Sequence, residues 1–276
     1  PALSNGLATL EAALGGRIFD RTPRGATLTK FGIALLPHID RVLAAVTALQ
    51  EHASAMSGRG EAALRMGVSP LIHPRLVARA FEAARHEGAG GLVLREQNLT
   101  RLQSALQRNE LDVILVPAVD TIDGIRRRAI DSDPLWYIAA GSDVDTDATA
   151  GDPIELADLA RQLQVLVADE CGLTRFVRRM FDEHGVPLER YAGEAHSYRN
   201  LVEWARLGLG GAVLPASRFD ETTGPGRPLT ENGDAVAIGY EAQWLSTSPR
   251  ADAIESLLDR MLDAAATAVV DTSPHT

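Results

Sequence analysis

The sequence predicts an α/β protein in which a short helix, a hairpin and a long helix precede two similar α/β blocks in tandem. Patterns typical of strands alternate with amphipathic helical patterns from Ala63 to Leu214, and such alternation implies a parallel sheet built from βαβ units. Upstream of Ser57, apolar residues repeat in steps of three and four instead. That spacing indicates helices with one narrow apolar face.

Composition limits the class of protein. The 276 residues are 45% hydrophobic and 23% charged, which is typical of a soluble globular chain. No apolar run reaches the ~20 residues that cross a bilayer, and no export signal is recognisable, so we predict a cytoplasmic protein. The single cysteine, Cys171, excludes an internal disulfide, and no Cys and His residues have zinc-site spacing. We predict no metal and no cofactor.

Charge is unevenly distributed along the chain. The net charge of −10 taken whole argues against a polyanionic partner, yet residues 1–59 hold six Arg and Lys against four Asp and Glu. The N-terminus is therefore the basic end of the molecule.

The first predicted elements are a short helix and a hairpin. Four leucines recur at helical spacing over Leu3–Leu14, and a glycine pair ends the pattern. Residues 17–29 form two brief extended pieces around a Pro-Arg-Gly turn, which predicts a small β-hairpin. Arg21 and Arg24 lie at or near its tip.

A long helix is predicted over Phe31–Met56. Its apolar residues form a heptad seam that is too narrow for a buried helix and too long for a solitary exposed one. We expect the seam to pair with a second copy of the chain, with Pro37 kinking or delaying the helix start. Packing on its own domain is the alternative. The expected dimer contacts are Leu35, Ile39, Val42, Val46 and Leu49.

Residues 57–60 are a predicted linker, and alternating strands and helices follow it. Strands are predicted at Ala63–Val68, Leu92–Glu96, Leu111–Val116, Gln164–Val167, Arg190–Gly193, Gly211–Leu214, Ala235–Tyr240 and Trp244–Thr247. Helices are predicted at Leu71–Ala84, Leu99–Gln107, Ile154–Arg161, Thr174–Glu183, Tyr198–Leu207 and Ala251–Ala265. The second block starts at Pro134–Ala140.

An ordered set of short motifs runs through the first 32 residues. It comprises Pro1-Ala2-Leu3-Ser4, Leu10-Glu11, Leu14-Gly15, Ile18-Phe19, Arg21, Arg24, Leu28-Thr29 and Gly32. Farther along, Leu111-Asp112 enters a strand, and residues 208–215 read Gly-Leu-Gly-Gly-Ala-Val-Leu-Pro. These residues resemble the LysR-type transcriptional regulators over nearly the whole chain. We expect a further N-terminal stretch, because Pro1 stands where the family's recognition helix begins.

The resemblance implies a domain order and a set of partners. A partial winged helix-turn-helix is expected at 1–30 and a linker and dimerisation helix at 31–57. A two-lobed, periplasmic-binding-protein-like (type II) effector domain follows, with one lobe at 61–128 plus 229–270 and the other at 131–225. The implied partners are double-stranded promoter DNA, a small-molecule effector, and a second copy in a dimer or tetramer.

The expected DNA contacts lie at the N-terminal end. Ala2, Ser4 and Asn5 open the recognition helix, where short polar side chains can approach base edges in the major groove. The guanidinium groups of Arg21 and Arg24 suit phosphates or the minor groove. Taken alone, Ser4 could be an ordinary helix cap and Arg24 a solvated turn residue.

The expected effector site lies between the lobes, where strand ends meet helix N-termini that favour anions. Hydroxyl, amide and imidazole groups there suit a small carboxylate. Alternatively, Ser69 and Thr174 only cap helices, and His196 is a structural histidine. The expected effector-binding residues are Ser69, Pro70, Gln97, Asn98, Thr174 and His196.

Catalysis is not predicted. The glycines of residues 208–211 end a helix and precede a strand, the wrong order for a phosphate-binding loop. No nucleophile elbow, zinc-protease motif or carboxylate pair is present, and Cys171 is interpreted as a buried small residue. The alternative to a regulator is a solute-binding module of the same bilobal fold with no DNA role.

Overall fold

The computed structural model describes residues 2–22, 25–36, 38–39, 42, 46, 49, 63–85, 91–119, 122–141, 152–219 and 226–270. They belong to two compact units, Pro1–Arg59 and Gly60–Thr276, which are described separately below. No helix within these ranges is both long enough and apolar enough to cross a membrane.

The first unit contains the predicted helix and hairpin. Helix α1 spans Ala2–Leu14, and strands β1 (Phe19–Thr22) and β2 (Gly25–Leu28) pair antiparallel. Arg24 lies outside the described residues, as do the side chains of Ala2, Ser4 and Arg21.

Polar motif residues join these elements. The Glu11 Oε1 atom accepts hydrogen bonds from the backbone N–H groups of Ile18 at 2.7 Å and Phe19 at 3.1 Å. The Thr29 hydroxyl accepts from Gly32 N at 2.9 Å, as an N-cap does, and donates to Arg17 O. Gly32 packs so closely that a Cβ there would lie 2.2 Å from Ile18 O. The Leu-Glu, Leu-Thr and Gly motifs therefore have structural roles in this unit.

A second helical segment follows the hairpin. Residues 30–36, 38–39, 42, 46 and 49 are helical. Of the expected dimer contacts, Leu35 and Ile39 are half-buried, whereas Val42, Val46 and Leu49 are exposed. Pro37, the seam beyond Leu49 and the predicted linker at 57–60 lie outside the described residues.

The second unit opens with a parallel sheet. Strand β3 (Leu64–Val68) pairs with β4 (Leu92–Glu96) on one side and with β5 (Val113–Pro117) on the other. The helices between them are α2 (Pro74–Arg85) and α3 (Leu99–Gln107). These elements agree with the predicted βαβ pattern, except that α2 begins at Pro74 rather than Leu71, because Ser69–His73 form a loop.

Two long antiparallel strands cross this unit. Strand β6 (Ile125–Ile138) pairs over Ile125–Pro134 with β13 (Ala237–Leu245), which also pairs with β5. The remainder of β6 pairs with β10 (Ala212–Pro215). We call the part around β3, β4, β5 and β13 lobe I. The part around β10 and the strands β8 (Leu163–Val167) and β9 (Glu189–Ala195) is lobe II.

Lobe II repeats the strand and helix alternation. Strand β8 (Leu163–Val167) pairs in parallel with β9 (Glu189–Ala195). Helices α4 (Gly172–Glu183) and α5 (Tyr198–Arg206) follow these two strands. The other elements are β7 (Ile154–Glu155), 3₁₀ turns at Leu156–Leu159 and Ala216–Arg218, β11 (Arg227–Glu231), β12 (Asp234–Ala235) and α6 (Ala251–Val270).

The predicted helix Ile154–Arg161 is wrong. Ile154 and Glu155 pair with β11 instead, and only one 3₁₀ turn follows. Arg161 has a φ of 68°, which a right-handed helix cannot continue. Strand pairing therefore overrides the local helical pattern here.

The predicted strands Ala235–Tyr240 and Trp244–Thr247 fall mostly in a single strand, β13, whereas Ala235 belongs to β12. A bulge between Tyr240 and Glu241 lets this strand bend without ending. The predicted lobe boundary at residue 229 falls inside β11, whose partners are β6, β7 and β12. The lobe boundaries remain predictions.

Candidate functional site

A cavity of about 420 Å³ lies between lobe I and lobe II, within the usual range of small-molecule sites. Its wall comes from the carboxyl ends of β3, β4, β8 and β9 and from the helix starts that follow them. The lining residues are Ser69, Pro70, Glu96, Asn98, Leu99, Val167, Ala168, Glu170, Cys171, His196, Ser197 and Tyr198.

Ser69 contributes a buried hydroxyl from lobe I. It follows β3 directly, and its backbone N–H donates to Leu115 O at 3.0 Å. The side chain is buried, with 2% of the residue exposed, and its Oγ accepts from Leu71 N at 3.3 Å. Within the described part of the chain, the Ser69 hydroxyl proton has no acceptor. A ligand acceptor could therefore use it.

Asn98 opens α3 on the same side of the cavity. Its Oδ1 accepts from Arg101 N at 2.9 Å, which is N-cap geometry. The cap uses the amide oxygen and does not involve the two N–H donors of the NH₂ group. The capping alternative and a ligand role for Asn98 are thus compatible.

Lobe II contributes the starts of α4 and α5. Cys171 is the N-cap residue of α4, with no side-chain hydrogen bond capping the helix. Its Sγ lies 2.9 Å from the Tyr198 hydroxyl oxygen. Burial, followed by the neighbouring Cys171, raises the pKa of Tyr198 well above its usual value, so this phenol stays neutral at physiological pH. Ser197 caps α5 by accepting from Asn200 N at 3.2 Å.

Arg218 links the two walls of the cavity. From the 3₁₀ turn after β10, its Nη2 donates to Pro70 O and, at 3.1 Å, to Ile72 O. Its guanidinium carbon also lies 5.5 Å from the ring centroid of Tyr198, a cation–π distance. One side chain therefore holds a lobe I loop and a lobe II tyrosine that both line the cavity.

Four of the predicted effector-binding residues lie together at the cavity: Ser69, Pro70, Asn98 and His196. Gln97 and Thr174 are absent from its wall. The Thr174 hydroxyl is buried and donates to Val167 O at 2.8 Å, so it faces the end of β8 rather than the cavity. An effector role for Gln97 and Thr174 stays a prediction that this cavity does not support.

The expected effector-binding residues do not include Glu96, Glu170, Ser197 or Tyr198, and Cys171 is interpreted from the sequence as a buried small residue. All five line the cavity. The signal was present for four of them, which precede or open a helix after a strand, the same position that identified Ser69 and His196. Glu96 is instead the last residue of β4.

The charged side chains of this cavity's wall are acidic and exposed to solvent. Two glutamates line it, and no Arg or Lys does so among the residues described. No group of His, Cys, Asp and Glu in the described ranges could hold a metal ion.

Comparisons of this chain with known proteins agree with the fold described above. Residues 57–266 match the LysR substrate binding domain. A probable hydrogen peroxide-inducible genes activator from Mycobacterium avium is 30% identical over 224 residues, covering 78% of this chain and 68% of that protein. The HTH-type transcriptional regulator CbbR from Rhodospirillum rubrum is 25% identical over 241 residues, covering 86% and 78%.

Among solved structures, a full-length OxyR from Pseudomonas aeruginosa with one cysteine replaced by aspartate superposes with a TM-score of 0.68. It is 24% identical and covers 95% of this chain and 85% of its own. This likeness supports the two-lobed, periplasmic-binding-protein-like fold of the second unit.

Proposed function

The chain belongs to the LysR-type transcriptional regulators, and we propose that it binds promoter DNA under the control of a small effector held in the cavity between its lobes. The matched relatives are regulators rather than enzymes, in agreement with the sequence prediction. A role on promoter DNA would place the protein in the cytoplasm.

The cavity is the observation that carries this proposal. Its wall takes residues from both lobes, including the buried Ser69 of lobe I and Cys171, the N-cap residue of α4, from lobe II. A ligand that contacts both lobes favours one arrangement of them, and such differential contact is how an effector biases a regulator between states. We propose Ser69, Pro70, Asn98 and His196 as effector contacts, with Cys171 and Tyr198 beside them.

We propose that the effector belongs to the small carboxylates. The start of α4 offers backbone N–H groups and the positive end of the helix dipole, and no side chain caps it. Two other lining residues, Asn98 and Ser197, cap their own helices. The α4 N-terminus is therefore the helix start best suited to an anionic group.

DNA recognition is proposed for the first unit. Ala2, Ser4 and Asn5 lie in the first turns of α1, and Arg21 lies in β1. Arg24 remains the second arginine predicted to contact DNA. A recognition helix and a basic wing in this order suit the major groove and the adjacent phosphates. The basic balance of residues 1–59 supports the same placement.

Self-association is proposed through the second helical segment. The side chains of Val42 and Leu49 are 63% and 69% exposed, although both are large and apolar. Leu35, Ile39, Val42, Val46 and Leu49 share the heptad spacing of a paired helix. Covering this row by a second copy would remove it from water.

DNA binding tests the proposal directly. A protein carrying the complete DNA-binding domain should shift its own promoter region in a gel at low salt, with affinity falling steeply as salt rises, since bound phosphates release counterions. Absence of a shift at every salt concentration would favour the alternative, a solute-binding module without a DNA role.

A response to hydrogen peroxide is the second candidate. Cys171 lines the cavity beside Tyr198, and the Mycobacterium avium relative is named for peroxide-inducible genes. Peroxide would convert the Cys171 thiolate to sulfenic acid and release hydroxide. Since the 276 residues hold one cysteine, no disulfide could follow within them. Peroxide should then change the DNA shift of the native protein and not that of Cys171→Ser, whereas equal responses would remove this candidate.

A further inference from the structure

Arginine side chains of lobe II reach lobe I at two separate places. At the first, Arg218 follows β10 and its Nη2 donates to the carbonyl oxygens of Pro70 and Ile72, in the loop after β3. The turn that carries Arg218 is fixed to β6, the strand that crosses between the lobes, because Ser217 N donates to Asp133 Oδ1 at 3.2 Å. Arg218 therefore holds a lobe I loop from a firmly placed turn of lobe II.

The second place is the face of α4 that meets lobe I. The Arg175 Nη2 atom donates to the Thr100 hydroxyl on α3 at 2.7 Å. One turn farther along α4, Arg179 Nη1 donates to Val119 O, just after β5, at 2.8 Å. Phe176 on the same helix packs against the apolar cluster of α3 and β5. Helix α4 is therefore joined to lobe I along two of its turns.

The lobe I oxygens that accept these hydrogen bonds are backbone carbonyls and a hydroxyl, which carry no charge. A hydrogen bond from a guanidinium to such an oxygen is stronger than a bond between neutral groups. The lobes also touch directly, because a Cβ on Gly172 of α4 would overlap the ring of Pro117 in β5. Contacts of the protein itself therefore hold the two lobes together.

We propose that Arg175, Arg179 and Arg218 form a clasp that closes the lobes over the cavity, and that the cavity opens only when both sets of contacts release together. If the lobes move as rigid bodies, one opening breaks both sets, and their energies add in the opening equilibrium. This inference rests on the proposed function, because it concerns access to the cavity assigned to the effector.

Cys171 reports the opening without an added label. It lines the cavity and is the single cysteine of the 276 residues. Its thiolate attacks dithiodipyridine, a neutral aromatic disulfide, to give a mixed disulfide and one released thiopyridone, which is followed by absorbance. When closing is fast, the rate follows the population of the open form. The rate is compared per thiolate, from its dependence on pH, so that a lost neighbouring charge does not enter.

Two variants release the two places one at a time. Thr100→Val removes the acceptor of Arg175 and changes the side-chain shape little, so the Cys171 rate should rise about fivefold, as expected for one hydrogen bond. Arg218→Met removes a charged donor and should raise the rate about tenfold. The double variant should react about fiftyfold faster, because the two energies add. Arg218→Lys should restore most of the native rate, since one ammonium nitrogen can donate to both carbonyls, as Nη2 does.

Hydrogen exchange separates the clasp from a local effect. The loop at residues 69–73 contacts Arg218, whereas Thr100 lies at the other place. Exchange in this loop should nevertheless become about fivefold faster in Thr100→Val, because one opening exposes both places. Unchanged exchange there would show that the two places act independently and would overturn the clasp.

Arg227→Met is the matched control. Its guanidinium also donates to two backbone carbonyls, Asp152 O and Pro153 O, at 2.9 Å each, and Arg227 is absent from the cavity wall. This variant should keep the native Cys171 rate, and an equal rise would overturn the clasp. An unchanged rate in Thr100→Val, or a double variant no faster than Arg218→Met, would do the same. The measurements use neither DNA nor effector, so a failed promoter shift leaves this inference standing.

Discussion

The two units differ in what covers their apolar side chains. In the described part of Pro1–Arg59, Ile18 is the one large apolar residue that is buried, and Phe31, Ile33, Leu36, Val42, Val46 and Leu49 are exposed. In Gly60–Thr276, residues such as Phe181 and Leu257 are fully buried in a common core. The apolar side chains of the first unit therefore lie on surfaces that suit partners, whereas the second unit is stabilised by its own buried core.

The largest expected effect is on the interior of the second unit. Phe181 on α4 is fully buried, so Phe181→Ala should lower the free energy of unfolding by about 3–5 kcal/mol through lost burial and a cavity. Urea unfolding measures this. Phe81 on α2 is 47% exposed, and Phe81→Ala should cost well under half as much. Equal losses would contradict the contrast between core and surface.

The second prediction concerns the exposed row of the first unit. Val42→Asp combined with Val46→Asp places charges on the proposed pairing seam, which should weaken self-association at least about a hundredfold, or about 2.7 kcal/mol. Light scattering should show a lower mass while the unfolding curve of the second unit is retained. As a control, Leu207→Asp changes a residue of the second unit that is 74% exposed. An unchanged mass in the folded double variant would exclude this seam as the dimer contact.

A third prediction tests how closely the first unit is packed. Because a Cβ at Gly32 would lie 2.2 Å from Ile18 O, Gly32→Ala should destabilise the contact between hairpin and helix by about 1–3 kcal/mol. Hydrogen exchange of peptides from residues 17–36 should become faster. At Gly6 on α1 nothing lies within 4 Å of a Cβ, so Gly6→Ala should slow exchange in α1 through better helix propensity. Matching behaviour of the two variants would show that Gly32 carries no packing constraint.

The smallest expected effect concerns two hydroxyl groups of the second unit, those of Ser69 and Thr174, for which we expect different roles. Ser69→Ala should weaken binding of a small carboxylate probe such as glutarate by about 1 kcal/mol. It also removes the acceptor of the Leu71 N–H, but that hydrogen bond is long at 3.3 Å, so we expect only a small loss of stability. Thr174→Ala should do the reverse, because its hydroxyl donates to Val167 O, and should lower stability by about 1 kcal/mol. Calorimetry and thermal unfolding on both variants decide this. Probe affinity that is lost only in Thr174→Ala would move the ligand away from Ser69.

The sequence predicted the local elements better than their pairing. Leu92–Glu96 and Leu99–Gln107 have the predicted bounds, since strong period-two and helical patterns coincide with turn residues there. The length of β6 was missed because charged residues such as Asp131 and Asp133 interrupt its apolar pattern. The β11–β12 hairpin was missed although Asn232 and Gly233 form its turn with positive φ values of 52° and 86°. An Asn-Gly pair is a strong hairpin signal.

The sequence predicted the position of the cavity but only some of the side chains that line it. Strand-to-helix junctions located Ser69, Asn98 and His196, since topology alone brings such junctions to one edge. Side-chain direction was not available from sequence, so Thr174 was included and Glu170 was not. Arg218 could not have been found, because its reach to the Pro70 loop depends on residues about 148 positions apart in the chain.

The strand order of the large sheet has a consequence for how the protein is made. Strand β13 lies between β5 and β6, yet it leaves the ribosome about 120 residues after β5. At roughly 5–20 residues per second, the inner edge of β5 waits about 6–24 s for its partner during synthesis. Through that interval an apolar strand such as Val113–Pro117 has an open edge, which is a site for mispairing. Slow synthesis, or a truncation before Ala237, should therefore increase aggregation of the nascent chain.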